Sequence, residues 1–228
     1  MSLINKQISK TIFVNKPINW TSFDVVKNIR SLMKKKYDLQ KIKVGHTGTL
    51  DPLATGLLII CTGDRTKTIN SFINLDKTYI GTLKLGAITD SFDSETKEKE
   101  IKEYNFITNS QILKSFSNFI GELSQVPPIF SAIKHKGEPL YKKARRGELN
   151  IDIKKRKITI YSLDLIAVDL PFVKFKIKCS KGTYIRSLAN DIGKDLSCGA
   201  YLHALSRVSV GEYKLEDALS IENIKNFL

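Results

Sequence analysis

Gly45-His46-Thr47-Gly48-Thr49-Leu50-Asp51-Pro52-Leu53-Ala54-Thr55-Gly56 is a glycine-punctuated segment built around a single carboxylate. Pro52 biases Asp51 away from the helical region, which places the carboxylate on an extended or turning backbone. Gly45, Gly48 and Gly56 permit sharp turns and close approach of another chain segment. Such a loop can aim one carboxylate in a fixed direction, as nucleophilic or general-base chemistry requires. The residues alone leave a second reading open, a glycine-rich connector with an Asx turn. A phosphate-binding loop does not fit, because no Lys followed by Ser or Thr stands at the start of a helix. The glycine spacing also departs from a dinucleotide-binding fingerprint.

Outward from this segment, residues 11–15 read as a strand, and Trp20-Thr21-Ser22 leads into a helix capped by Thr21 or Ser22. Val25, Val26, Ile29, Leu32 and Met33 share one face of that helix, and Lys34-Lys35-Lys36 suit its C-terminal dipole. The loop is expected to run from Val44 to Gly56, followed by an apolar strand, Leu57 to Cys61, and a helix from about Asp64. Thr78 to Leu85 alternates with a period of two, as in a half-buried strand. Residues 89–104, with Asp90, Asp93, Glu95 and Glu98, read as an acidic loop. Ser110 opens a helix whose face is Ile112, Leu113, Phe116, Phe119 and Ile120. The basic stretch 127–157 reads as an insertion with a short helix, and 158–168 and 172–179 as paired strands. A further helix begins near Thr183, with Leu188, Ile192 and Leu196 four residues apart. Because strands arrive in runs, the expected class is α+β around a mixed, mostly antiparallel sheet flanked by helices.

The 228 residues suit one large domain or a domain with an insertion. Lys and Arg number 37 against 23 Asp and Glu, a formal charge of +14, which favours a polyanionic partner, nucleic acid before membrane. A solvated Lys-rich surface is the competing reading of the same charge. Cys61, Cys179 and Cys198 are odd in number and widely spaced, which points to a reducing compartment. No apolar run approaches the ~20 residues that span a bilayer, and the N-terminus lacks the features of a signal peptide. The expected location is the cytoplasm. His46, His135 and His203 lie far apart and no Cys pair has ligand spacing, so no metal site is expected.

Two other segments carry chemistry. Lys181-Gly182-Thr183-Tyr184-Ile185-Arg186 delivers an Arg to the first turn of a helix. Beside Asp51 such an Arg would keep the carboxylate ionised and oriented, while alone it reads equally as a surface residue. Tyr79, early in its strand, could stack on a base or belong to the core.

Taken in order, these segments resemble the TruB family of pseudouridine synthases. The segment 45–56 is similar to the family's central motif almost residue for residue. Asn15-Lys16-Pro17 with Thr21-Ser22 resembles its opening motif, Lys77-Thr78-Tyr79 its tyrosine motif, and 179–186 its arginine motif. Gln125-Val126-Pro127-Pro128, Ser131-Ala132, Gly137, Tyr141 and Ala144-Arg145 look like its RNA-gripping insertion. The likeness runs from about 11 to 215. It implies a pseudouridine-synthase-type catalytic domain over residues 1–228, with the insertion at about 127–157. It also implies isomerisation of uridine 55 in the T-loop of tRNA to pseudouridine, with no cofactor.

By the same resemblance Asp51 reacts at the sugar of the flipped uridine, Tyr79 stacks on the detached uracil, and Arg186 pairs with Asp51. His46 supports the T-loop, Lys16 has a supporting role, and Tyr184 and Leu205 line the substrate side. Lys134, Lys136, Lys142, Lys143, Arg145 and Arg146 are the expected phosphate contacts. The implied partner is the T-arm of tRNA, bound by a monomer without guide RNA. Extruding the base costs about a few kcal/mol, which phosphate contacts can offset. Two departures stand out. The chain reaches Leu228 soon after the catalytic domain, so a C-terminal RNA-binding domain of the PUA type is expected to be absent. Leu205-Ser206-Arg207 replaces a Leu-Arg-Arg pattern, with the loss of one phosphate contact. Two other functions fit the charge and insertion, a tRNA-binding or folding chaperone and a synthase for another structured RNA.

Overall fold

The computed structural model describes residues 7–228, which divide into two compact units. The first takes in the chain up to Ile80 together with Leu205–Leu228, and the second is Gly81–Ala204. The unit boundaries fall inside two strands, β4 (Lys77–Leu85) and β10 (Ala200–Val210). The strands pair mostly antiparallel and helices accompany them, the α+β arrangement expected.

In the first unit β3 (Ala54–Thr62) is the axis. All but one of its nine residues are buried, which explains its near-continuous apolar sequence. β1 (Thr11–Lys16) runs antiparallel along its whole length, from Thr11 opposite Cys61 to Lys16 opposite Gly56. Two strands pair with other parts of β3. β2 (Val44–His46) pairs antiparallel with its far end, and β10 pairs parallel with its start, Leu205 opposite Ala54 and Arg207 opposite Gly56. Leu57, Ile59 and Val210 form a core cluster on which Phe13, Phe72, Leu75 and Tyr213 pack. α1 (Ser22–Tyr37) starts with a capping box between Thr21 and Asp24 and buries Val25, Val26, Ile29 and Met33, as its periodicity requires.

In the second unit the order is β4-β9-β8-β5, with β5 Gly121–Gln125, β8 Arg156–Asp169 and β9 Phe172–Cys179. α3 (Asn109–Asn118) is capped by Thr108 and buries Ile112 and Phe116, whose ring meets Phe175 edge-on at 6.3 Å. In the insertion, two-residue strands β6 (Lys134–His135) and β7 (Glu138–Pro139) flank a turn at Lys136 and Gly137, both with positive φ, and α4 (Leu140–Arg145) follows. α5 (Ile185–Asp195) buries Leu188 and Ile192, and Leu196 caps it.

Several boundaries differ from expectation. The glycine-punctuated loop is shorter than 44–56, because Val44–His46 pair with the end of β3 and Ala54–Gly56 form its start, paired with β10. The helix expected from Asp64 begins as a 3-10 turn, Gly63–Thr68, and becomes α-helical only at α2 (Ile69–Ile73). Leu113 and Ile120 are about half exposed, since α3 ends at Asn118 and turns only its Ile112–Phe116 side to β8 and β9. β5, β10, β11 (Tyr213–Lys214) and α6 (Ile221–Phe227) were not anticipated. Their apolar runs are short, and partners distant in sequence decide their conformation.

Candidate active site

In the first unit the loop between β2 and β3 carries Asp51, and its backbone is held at almost every turn. The buried Ser22 hydroxyl donates to the Leu50 carbonyl (2.9 Å) and accepts from the Leu50 amide (2.8 Å). The Asp51 carbonyl accepts from the Ala54 amide, and the Pro52 carbonyl from the Asn19 amide at 2.8 Å. Lys16 is fully buried, and its Nζ donates to the carbonyls of Trp20 (2.6 Å), Pro17 (2.9 Å) and Pro52 (3.4 Å). Arg207 is equally enclosed. Its Nε donates to Leu57 O at 2.7 Å, and one terminal nitrogen donates to Gly48 O at 3.1 Å. Gly56 makes the close passage possible: its φ is +101°, and a Cβ there would lie 2.4 Å from Arg207 O. The loop is thus preorganised before any ligand arrives.

The sequence assigned Arg207 no role of its own. In the structure it is a buried brace, because β10 enters beside Gly56 and turns the guanidinium under the loop. Nothing local in the sequence signals this.

The electrostatics of the loop follow from its enclosure. Burial pushes the Lys16 ammonium down to about 8, against the attraction of Asp51 and with added repulsion from Arg207. A base whose folded value lies below its unfolded 10.5 is disfavoured as a cation in the fold. Between about pH 8 and 10.5 the unfolded chain therefore binds more protons here, and stability rises with pH. The stability gap between the native protein and Lys16→Met should widen from pH 7.5 to 10 in urea titrations. A gap independent of pH would mean that the ammonium does not feel the burial. His46 is likewise held below its ordinary value, first by burial and then by Arg207. Its Nδ1 accepts from the Gly48 amide at 3.3 Å, which leaves the proton of the neutral ring on Nε2.

Tyr79 lies buried in β4. Leu205 stands half-buried opposite Ala54, where β3 leaves the Asp51 loop.

In the second unit Arg186 occupies the first turn of α5 and is 5% exposed. It donates to the Ser91 and Phe130 carbonyls at 3.2 and 2.9 Å, and its Nε lies 3.5 Å from the buried Asp93 carboxylate. The 89–104 segment, read only as an acidic loop, thus supplies a partner for the expected active-site Arg. Gln125 fixes the entry to α5, its side chain bonding both the amide (2.8 Å) and the carbonyl (3.0 Å) of the half-buried Tyr184.

The insertion's cations are exposed apart from Lys143, which is half-buried against Glu148, and several are already neutralised. Arg146 forks onto Glu138 at 2.6 and 2.8 Å and also reaches Glu148, and Arg145 meets Glu95 at 2.6 Å. Lys134, Lys136 and Lys142 lie open to solvent beside them. Among the described residues no group of three His, Cys, Asp or Glu side chains is placed to hold a metal ion. No described helix is long and apolar enough to cross a membrane. Cys61, Cys179 and Cys198 are buried and form no disulfide.

The chain was compared with known proteins. Residues 34–185 match the family described as TruB family pseudouridylate synthase (N terminal domain). Residues 186–228 match the tRNA pseudouridylate synthase B C-terminal domain. A tRNA pseudouridine synthase B of Parabacteroides distasonis is 46% identical over 217 residues, 95% of this chain and 92% of that protein. One of Clostridium tetani is 46% identical over 213 residues, covering 93% of this chain and 71% of the relative. Among solved structures, a chain of a Cbf5-Nop10-Gar1 complex superposes with a TM-score of 0.73 at 25% identity. That match covers 99% of this chain and 56% of the other.

Proposed function

Because this chain belongs to the TruB family of pseudouridylate synthases, and is therefore an isomerase, we propose that it converts uridine 55 in the T-loop of tRNA to pseudouridine. The observation that carries the reading is the Asp51 loop, whose flanking backbone is fixed by Ser22, Lys16 and Arg207. A preset carboxylate is what this chemistry needs. The reaction breaks a C–N glycosidic bond, turns the uracil and closes a C–C bond with no net redox change, and holding the carboxylate and the sugar in register contributes to its rate.

In this reading Asp51 reacts at the sugar of the extruded nucleotide, and Tyr79 stacks on the freed uracil. Arg186, itself fixed by Asp93 and two carbonyls, is the active-site cation of this reading. His46, Tyr184 and Leu205 shape the substrate side. The basic insertion holds phosphates through Lys134, Lys136 and Lys142, with Arg145 and Arg146 exchanging their glutamates for RNA. The partner is tRNA, engaged through its T-arm in the cytoplasm by a monomer without guide RNA.

The direct test is tritium release from a tRNA transcript labelled at C5 of its uridines. One equivalent per tRNA is expected, and none from a transcript with cytidine at position 55. Release that persists without uridine 55 moves the target elsewhere, and no release from any structured RNA removes the catalytic reading.

A further inference from the structure

β9 reads Phe172-Val173-Lys174-Phe175-Lys176-Ile177-Lys178-Cys179, a strict alternation. Val173, Phe175 and Ile177 are buried on the side covered by α3, where Phe116 meets Phe175. Lys174, Lys176 and Lys178 all point to the opposite, open side. None of the three makes an ion pair with a described residue, unlike the arginines of the insertion, which are tied to glutamates. Their spacing is regular. Residues two apart on a strand lie about 6.6 Å apart, twice the rise per residue, close to the stride of one nucleotide along a polynucleotide backbone.

The neighbouring strand completes the surface. β8 carries two bulges against β9, between Ile160 and Ser162 and between Leu165 and Ala167. Tyr161 and Ile166 sit in these bulges and are each about half exposed. The Lys178 ammonium lies over the Tyr161 ring, 5.8 Å from its centre, so an exposed cation is given a preferred position. Asp164, opposite Lys176, and Asp169, opposite Phe172, are the carboxylates of the pair. Three lysines against two aspartates leave the face with a net positive charge.

We propose that the open face of the β8–β9 hairpin binds the sugar–phosphate backbone of the RNA substrate, with Lys174, Lys176 and Lys178 contacting successive phosphates. The site rests on the RNA-modifying reading and extends it: it grips the RNA without taking part in the chemistry. Phosphate contacts of this kind set affinity and register and carry little sequence information.

The test is Lys174→Gln/Lys176→Gln/Lys178→Gln in the full chain, measured for tRNA affinity across a salt series. Each lost phosphate contact lowers the slope of log affinity against log salt by about 0.7 to 0.9. A drop of about 2 and a dissociation constant about tenfold higher are expected, with tritium release at saturating tRNA unchanged. The charge-matched control Lys34→Gln/Lys35→Gln/Lys36→Gln, at the end of α1, should leave the slope nearly intact. An unaltered slope in the β9 variant, or an equal drop in both variants, overturns the proposal. Affinity and slope are read without turnover, so a protein that binds tRNA but releases no tritium would sink the catalytic reading and leave this one standing.

Discussion

Asp51→Asn is expected to cut tritium release by about 10⁴-fold or more, the scale on which loss of a nucleophile or its partner acts, while tRNA affinity stays within a few fold. The substitution is nearly isosteric, and backbone groups on both sides of the carboxylate are held by their own hydrogen bonds. Ser22 holds Leu50, the Asp51 carbonyl takes the Ala54 amide, and Asn19 and Lys16 hold Pro52, all through backbone groups. Only the charge and nucleophilicity of one side chain are removed. A single-turnover assay with saturating enzyme separates this from weakened binding. Residual turnover within tenfold of the native protein would remove Asp51 from the chemistry and return the segment to a structural role.

Arg207→Ala is expected to lower unfolding free energy by about 3 to 5 kcal/mol. Its guanidinium donates to Leu57 O and Gly48 O, and Arg207 is only 2% exposed. Truncation would leave both carbonyls without that donor, each at about 1 to 3 kcal/mol, and would open a cavity besides. Gly48 O would also lose its tether, so turnover in the surviving folded protein should fall even though Arg207 touches no substrate. Arg207→Lys tests the geometry, because an ammonium is a point charge and does not reproduce the planar fork. Denaturant titration of both variants checks the stability term. A loss below 1 kcal/mol for Arg207→Ala would mean that β3 and β10 hold the loop unaided.

The two arginines illustrate how the site was legible and where it was not. Asp51, Tyr79 and Arg186 stand in ordered motifs, and their elements formed close to where periodicity put them: a half-buried strand for Tyr79 and a first helical turn for Arg186. Arg207 gave no such signal, because its role depends on a parallel pairing between residues about 150 positions apart. Asp93 was hidden for the same reason. It lies in an irregular acidic segment, and only the approach of α5 singles it out from Asp90 or Glu95. The insertion's cations were visible by charge alone, yet the glutamates that neutralise Arg145 and Arg146 were matched to them by folding.

By itself the sequence determined the α+β class, the capped first helix, the alternating strands and the carboxylate loop. Each rests on spacing between near neighbours, which local backbone geometry converts directly into structure. Only the tertiary structure decided which polar side chains are braces and which remain available to RNA. Lys16 and Arg207 are spent on buried carbonyls, while Lys174, Lys176 and Lys178 stay open. Burial and pairing depend on what distant strands bring alongside, and charge in the sequence carries no record of that.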